Sequence, residues 1–300
     1  MTTVKPSGRP PWAEKPSPFT TAAKGVALTI VLVLMLTPFL VVVSTSLAGS
    51  GEVAANGGWV LWPEHPTTGA YRTILHGGVV TRAMVVSIAL TVFGSLASLA
   101  CTTFLAFALS RPRLVGGKPL LMLILFTFLF PPGIIPAFLM VKQTGLFNSY
   151  LALALPVLVN VFNLVVMRGF FQGIPEELFE AARLDGAGYW GQLRHVVLPL
   201  SKAVLAVVGL FYAVSYWNSW FTAMVYLDDS GKWPLTQVLR YYVIQGVSMA
   251  DPTQSEAGLT QAPQTVQMAV VVMATVPILL VYPFLQRFFV KGVLTGAIKS

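Results

Sequence analysis

A polar segment at positions 174–199 lies between two long apolar stretches and has the most informative residue spacing in the chain. Its acidic residues suit the first turns of a helix, where free backbone N–H groups favour negative charge, and a glycine suits the end of that helix. The pattern predicts a helix-turn-helix on the membrane surface, in which small alanines let another protein approach the backbone closely. In order, the segment contains Glu180-Ala181-Ala182, three residues, Gly186, nine residues that include the start of a second short helix at Tyr189, and Val196-Val197-Leu198-Pro199.

A second group of side chains could contact a sugar. Aromatic residues recur at helical spacing on one face of an apolar segment, and aromatic rings stack on the apolar faces of sugar rings. Asparagine side chains can hydrogen-bond to hydroxyl groups, and inside a membrane they prefer a wet or paired setting. The alternative is that the aromatic stripe only packs against other helices or lies in the interfacial belt. The candidate residues of a solute path are Asn160, Asn163, Tyr212, Tyr216, Trp217, Asn218 and Trp220.

Motifs for catalysis are missing from the sequence. A phosphate-binding loop of the form GxxxxGK[ST] does not occur, because the two Gly-Lys pairs are followed by Pro119 and Trp233. The three histidines have no metal-ligand spacing with one another or with Cys101. We therefore expect no catalysis and no cofactor bound by this chain, so any ATP that drives it must be hydrolysed by a different chain.

Composition identifies an integral membrane protein. Hydrophobic residues make up 55% of the chain and charged residues 10%, against about 25% charged in soluble domains, and the mean hydropathy is +0.74. A membrane-spanning helix needs about 20 apolar residues. None of the candidate spans contains Asp, Glu, Lys, Arg or His, so no proton relay is expected within the membrane. The six predicted spans are residues 25–47, 83–109, 119–141, 150–167, 203–227 and 266–286.

The basic residues predict how the chain is oriented. If both termini face the cytoplasm, all but five of the 19 Lys and Arg residues lie on the inner side, as the positive-inside rule requires. Segment 174–199 is then cytoplasmic, and the net charge of +8 indicates anchoring to anionic lipid rather than nucleic-acid binding. The basic residues on the outer side are Arg72, Arg82, Lys142, Lys232 and Arg240.

Two features of the apolar segments concern helix packing. Gly94, Ser98 and Thr102 form a line of small residues that permits close packing, and we expect this line to lie in the core of the bundle. The prolines of stretch 131–136 interrupt the third span. Because a broken helix needs protein or water beside it, we expect the break to face the interior of the bundle, either beside a solute path or as an ordinary kink.

The remaining segments define the domain organisation. Residues 1–24 are rich in proline and are predicted to form a mobile cytosolic tail, with residues 25–300 forming one membrane domain. The outer loop 228–265 is too long for a tight turn, and we expect it to contact a partner on the outer face.

The spacing of segment 174–199 resembles the EAA loop of ATP-binding-cassette importer permeases, in which this loop docks into a groove on the ATPase. From about residue 71 to 290 the chain resembles carbohydrate permeases, specifically the six-span permease of maltose-type importers. Support comes from Tyr71, from the Trp217-Asn218 pair and from the ending Tyr282-Pro283-Phe284-Leu285-Gln286-Arg287-Phe288-Phe289-Val290-Lys291-Gly292. One departure from the pattern is Val196, where isoleucine is commoner.

The resemblance implies an all-α protein of the bacterial inner membrane, with a coupling helix-turn-helix between spans four and five. It implies a second permease, two cytosolic ATPases that bind ATP and Mg, and an extracytoplasmic solute-binding protein. By analogy, loop 228–265 reaches into the binding protein and tail 291–300 enters the ATPase interface. The expected ATPase-coupling residues are Glu180, Ala181, Ala182, Asp185, Gly186, Leu198 and Pro199.

Other functions remain open from the sequence. An importer of this class could carry a peptide, an amino acid or phosphate instead of a sugar. An ion-coupled secondary transporter commonly shows internal repeats and charged groups at mid-membrane, and this chain shows neither clearly. A membrane receptor without transport and an amphipathic linker lying among lipid headgroups are the remaining alternatives.

Overall fold

The computed structural model describes residues 18–76, 78–112, 114–245 and 263–297, and this part of the chain is helical without strands. Short 3₁₀ helices lie at Leu155–Val157 and Ser230–Lys232, and a π-helix lies at Leu193–Val197. The α-helices are α1 (Pro18–Leu47), α2 (Ser50–Ala55), α3 (Gly69–His76), α4 (Val79–Ser110), α5 (Gly117–Leu129), α6 (Ile134–Gln143), α7 (Tyr150–Ala154), α8 (Val161–Gln172), α9 (Glu176–Leu184), α10 (Tyr189–Gln192), α11 (Leu198–Leu200), α12 (Lys202–Trp217), α13 (Trp220–Tyr226), α14 (Leu235–Gln245) and α15 (Pro263–Ala297).

Length and hydropathy identify membrane spans among these helices. Three helical stretches are long and apolar enough to cross a bilayer, at Pro18–Leu47, Val79–Ser110 and Gln264–Val281. Counting each of three sharply bent helix pairs as one span raises the number to six. The all-helical membrane fold is confirmed, although helix α1 begins at Pro18 rather than at residue 25.

The predicted fifth span differs in detail from the structure. The sequence indicates one apolar helix over residues 203–227, but α12 ends at Trp217 and α13 begins at Trp220. Asn218 caps the end of α12 by donating from its side-chain amide to the carbonyl of Val214, at 2.9 Å. Asparagine favours such helix ends because its side chain competes for backbone hydrogen bonds. Hydropathy alone cannot detect this interruption.

The core of the bundle is the contact between α4, α8 and α12, and α1 packs against α15 at its edge. The small-residue line of α4 faces two tyrosines of α12. The hydroxyl oxygens of Ser98 and Tyr216 lie 2.8 Å apart. A methyl group at Gly94 would lie 2.9 Å from the ring of Tyr216, which is too close. The prediction that this line lies in the bundle core is confirmed.

The predicted break in the third span is present, but it faces outward. Helices α5 and α6 are bent by 117° at residues 130–133, all four of which are exposed, and α5 buries no side chain. The expectation that the break faces the interior of this chain's own bundle is therefore wrong. Pro136 does not break the helix, because it lies in the first turn of α6, where no backbone N–H is required. A cavity of about 510 Å³ next to the break includes Pro132 and Pro136 in its lining.

The structure describes only parts of the predicted outer loop 228–265 and of the predicted terminal tails. The outer loop contains the second 3₁₀ helix and α14, and residues 246–262 lie outside the described residues. Residues 1–17 of the N-terminal tail and residues 298–300 of the C-terminal tail also lie outside the described residues. At the end of the bundle predicted to face outward, the Lys232 ammonium donates to the carbonyl of Asn148 at 2.8 Å, so the loop after α13 is joined to the loop before α7.

Candidate functional site

Helix α9 ends in a left-handed glycine turn. The backbone N–H of Ala187 donates to the carbonyl of Ala182 at 2.8 Å, and that of Gly186 donates to the carbonyl of Arg183 at 3.0 Å. With φ of +80° at Gly186, this is the Schellman arrangement, which favours glycine because a side chain is strained at positive φ. The predicted end of the first helix is confirmed.

The second half of the segment is also helical. It runs through α10, the π-helix and α11 from Tyr189 to Leu200, and it meets α12 at an angle of 84°. Leu193 and Val197 are buried in the bundle core, and the side-chain amide of Gln192 donates to the carbonyl of Ala187 at 3.2 Å. The helix-turn-helix therefore lies across the end of the bundle, nearly perpendicular to α12.

The residues expected to contact an ATPase lie on the outside of this helix-turn-helix. Glu180, Ala181, Asp185 and Gly186 are exposed, as is Pro199, and Ala182 and Leu198 are half-buried. Apolar side chains next to them are also open to solvent, since Leu184 is 89% exposed. The structure thus leaves five of the seven predicted coupling residues accessible, and their contact with an ATPase stays a prediction.

Helix α9 buries one side chain against the bundle. Of its nine residues, all within the described part of the chain, only Phe179 is buried. The guanidinium carbon of Arg111, the residue after α4, lies 3.7 Å from the centre of the Phe179 ring and 5.2 Å from that of Phe107. A stacked arginine therefore bridges a ring on α4 and a ring on α9.

Arg111 also pairs with a carboxylate of α9. Its Nη1 atom lies 3.8 Å from Glu176 Oε2, and Glu176 pairs as well with Arg183. Burial lowers the pKa of the Arg111 guanidinium, and the nearby Glu176 carboxylate raises it by a smaller effect. Glu176 is half-exposed, so its ion pair contributes at most about 1 kcal/mol. A desolvated cation over an aromatic ring contributes up to about 2 kcal/mol, so the stack on Phe179 is the stronger contact.

The same end of α4 also holds α8. The guanidinium Nε of Arg168 donates to the carbonyl of Leu109 at 2.9 Å. Two arginines thus bind the last residues of α4 to the helices that flank it. Among the described residues, no three His, Cys, Asp or Glu side chains come together in a way that could hold a metal ion.

Four of the predicted solute-path residues meet at one cavity. A space of about 320 Å³ between α8 and α12 is lined by Asn160, Asn163, Tyr212 and Tyr216 together with Ser215 and three apolar residues. The side chain of Asn160 accepts a hydrogen bond from the backbone N–H of Asn163 at 3.1 Å, which caps α8. The tyrosine rings are buried against α4, so only parts of them border the cavity.

The other three candidates lie elsewhere. Trp217 is buried against α4, α14 and α15, and Asn218 caps α12 as described above. The face of Trp220 is covered by Arg240, whose guanidinium carbon lies 3.9 Å from the ring centre. The structure therefore does not bring these three residues to the cavity of the other four, and a solute role for any of the seven remains a prediction.

Sequence reasoning missed Phe179 and Arg111. Leu178 and Phe179 are adjacent apolar residues, and the short helix leaves open which of the two faces the bundle; the structure buries Phe179 and leaves Leu178 42% exposed. The signal for Arg111 was an arginine directly between an apolar span and Pro112. It indicated topology, but not a packing partner.

The chain matches known proteins over most of its length. Residues 83–295 match the family described as "Binding-protein-dependent transport system inner membrane component". The chain is 43% identical to the polygalacturonan/rhamnogalacturonan transport system permease protein YtcP of Bacillus subtilis (strain 168), over 92% of this chain and 96% of that protein. It is 41% identical to protein LplC of the same organism, over 88% of this chain and 89% of that protein.

A solved structure is also similar. It is the crystal structure of a bacterial ABC transporter involved in the import of the acidic polysaccharide alginate, with a TM-score of 0.85 and 32% identity. The match covers 93% of this chain and 100% of the solved chain. The resemblance to importer permeases that the EAA-like spacing indicated is confirmed. This chain belongs to the family of inner membrane components of binding-protein-dependent transport systems.

Proposed function

We propose that this chain is the permease subunit of an ATP-driven carbohydrate importer. The observation that supports this most directly is the helix-turn-helix across the end of the bundle, with Glu180, Ala181 and Gly186 exposed on it. Such a surface is suited to docking, because its small residues expose backbone and its neighbour Leu184 offers an apolar side chain. A separate ATPase that closes on ATP would push this surface.

The complete importer contains four further subunits in this proposal. A second permease completes the solute path, two cytosolic ATPases bind ATP and Mg, and a solute-binding protein delivers cargo at the outer face. The distribution of Lys and Arg supports a cytoplasmic position for both termini and the helix-turn-helix. The family description, which includes binding-protein dependence, supports this set of partners.

The proposed cargo is an oligosaccharide with carboxylate groups. The relative at 43% identity is named for polygalacturonan and rhamnogalacturonan, and the solved transporter imports alginate, which its description calls acidic. The candidate spans contain no acidic side chain that would repel such a solute. A relative named for melibiose, raffinose and stachyose is only 26% identical, so neutral oligosaccharides are the second candidate.

Uptake by a deletion strain tests the cargo. Cells without this chain should lose import of labelled oligogalacturonate or alginate oligomers, and re-expression should restore it. Raffinose and a tripeptide serve as neutral and non-sugar comparisons. Import of only the tripeptide would contradict the carbohydrate assignment.

Reconstitution tests the energy source. The complex copurified through a tag on this chain should import oligosaccharide into liposomes only with ATP, and the chain alone should not import. Uphill import by the chain alone under an ion gradient would instead identify a secondary transporter.

A further inference from the structure

The contact between Arg111 and Phe179 lies where movement of α9 can be transmitted to α4. It joins the one buried side chain of α9 to the residue that directly follows α4. The Arg111 side chain is 10% exposed, so water competes little for this contact. Since α4 packs along both α8 and α12, a displacement of α9 that is transmitted to α4 reaches the core of the bundle.

The other anchors near α9 lie outside the helix itself, at Ile174 before it and at Leu193 and Val197 after it, which are buried in the same core cluster as Phe179. At its N-terminal end the helix follows Pro175, which makes no side-chain cap, and at its C-terminal end it continues into the Gly186 turn. Arg111 and Glu176 both line a cavity of about 510 Å³ and a second one of about 270 Å³. Because open space adjoins this pair, the segment between these anchors can shift when the contact of Arg111 with α9 is removed.

We propose that Arg111 is a positioning residue that fixes α9 to the end of α4 by stacking on Phe179, so that the coupling helix and α4 move together. This proposal rests on the proposed function, because the movement is that of a docked ATPase. Glu176 keeps the guanidinium close to α9 and is secondary, since half of its side chain is exposed. Without Arg111, α9 rocks on its flanking turns and ATP hydrolysis is no longer matched by import.

Two measurements on the intact complex test the proposal. The first is the number of ATP molecules hydrolysed per labelled oligogalacturonate imported in liposomes. The second is the distance between spin labels at Glu177→Cys on α9 and Leu96→Cys on α4, both exposed positions outside the proposed docking surface, in a Cys101→Ser background. It is measured before and after trapping with ATP, Mg and vanadate, and it does not depend on the cargo.

In the wild-type complex we expect the label distance to stay constant on trapping. In Arg111→Ala it should change, and the ATP-to-solute ratio should rise about fivefold or more, the range of ordinary coupling free energies. Phe179→Leu should behave similarly, because it keeps apolar volume and loses the ring. Arg111→Lys keeps the charge without the planar stack and should be intermediate, whereas Glu176→Gln should be close to wild type.

Lys118→Ala is the matched control, since Lys118 is an exposed cation at the start of α5. A constant label distance and an unchanged ratio in Arg111→Ala would overturn the proposal. Loss of the copurifying ATPase from that variant would also overturn it, because Arg111 would then shape the docking surface itself. If the wild-type complex imports no oligogalacturonate, the proposed cargo fails, and the label distances still decide the role of Arg111.

Discussion

The hydroxyl oxygens of Tyr212 and Thr102 lie 2.6 Å apart in the buried contact between α12 and α4. The Tyr212 oxygen also accepts a hydrogen bond from the backbone N–H of Asn160 at 2.9 Å, at the start of α8. One hydroxyl group therefore joins the three helices of the bundle core. Hydrogen bonds of this kind between membrane helices contribute about 0.6 to 2 kcal/mol each.

Replacing Tyr212 with phenylalanine should lower the stability of the purified protein. The change leaves the Asn160 N–H and the Thr102 hydroxyl without this partner, and we expect a loss of about 1–3 kcal/mol. The measurement is thermal unfolding in detergent. Tyr189→Phe is the control, because this tyrosine is 68% exposed; equal effects of the two changes would contradict the assigned role of the Tyr212 hydroxyl.

Replacing Gly94 with alanine should separate α4 from α12. The added methyl group would lie 2.9 Å from the Tyr216 ring, whose hydroxyl oxygen is held near Ser98, so the ring cannot simply turn away. Overpacking of this kind costs about 1–3 kcal/mol, measurable as a lower unfolding temperature. Gly169→Ala on α8 is a matched control with no atom within 4 Å of the added methyl group, and a similar loss there would argue against the clash.

Replacing Gly186 with alanine should reduce uptake but leave membrane insertion intact. The methyl group meets no atom within 4 Å, so the cost arises from the backbone at φ of +80° and is about 1–2 kcal/mol. Asparagine tolerates this conformation better and should retain more uptake. Uptake and the amount of protein in the membrane are measured together.

Gly188→Ala is the control for Gly186, since its φ of −67° suits any residue. If both alanine variants take up solute equally well, the shape of the turn is unimportant for coupling.

Labelling from outside the cell should reveal the orientation. In a Cys101→Ser background, a membrane-impermeant maleimide should modify Trp62→Cys in intact cells and Leu184→Cys only after the cells are opened. Both positions are at least 85% exposed, so access depends on the side of the membrane rather than on burial. The reverse pattern would invert the topology that the Lys and Arg distribution predicts.

The sequence predicted the spans and the helix-turn-helix well, because both depend on local patterns. Apolar length defines α1, and the acidic first turn and Gly186 define α9. The sequence predicted less well which side of a helix packs against a neighbouring helix. In α4 apolar residues surround the helix, so only the small line from Gly94 to Thr102 marked the packed face.

The direction of the break at residues 130–133 was beyond the sequence for a related reason. Prolines show where a helix must end, but the side to which it opens depends on the packing of α5, which buries none of its residues within this chain. Likewise, Phe179 and Leu178 are both apolar neighbours, and only the packing of α9 on the bundle shows that Phe179 is the buried one and that Arg111 covers its ring.

The outward-facing break also predicts how long a copy of this protein without partner subunits survives in the cell. Residues 130–133 include two prolines, and the carbonyl groups where α5 ends lack partners within that helix. Unmet backbone groups are poorly tolerated in hydrocarbon, so a newly made chain that lacks the proposed second permease should be recognised and degraded by membrane quality-control proteases. We expect its cellular half-life to shorten when the gene of the proposed second permease is deleted, as pulse-chase labelling can measure.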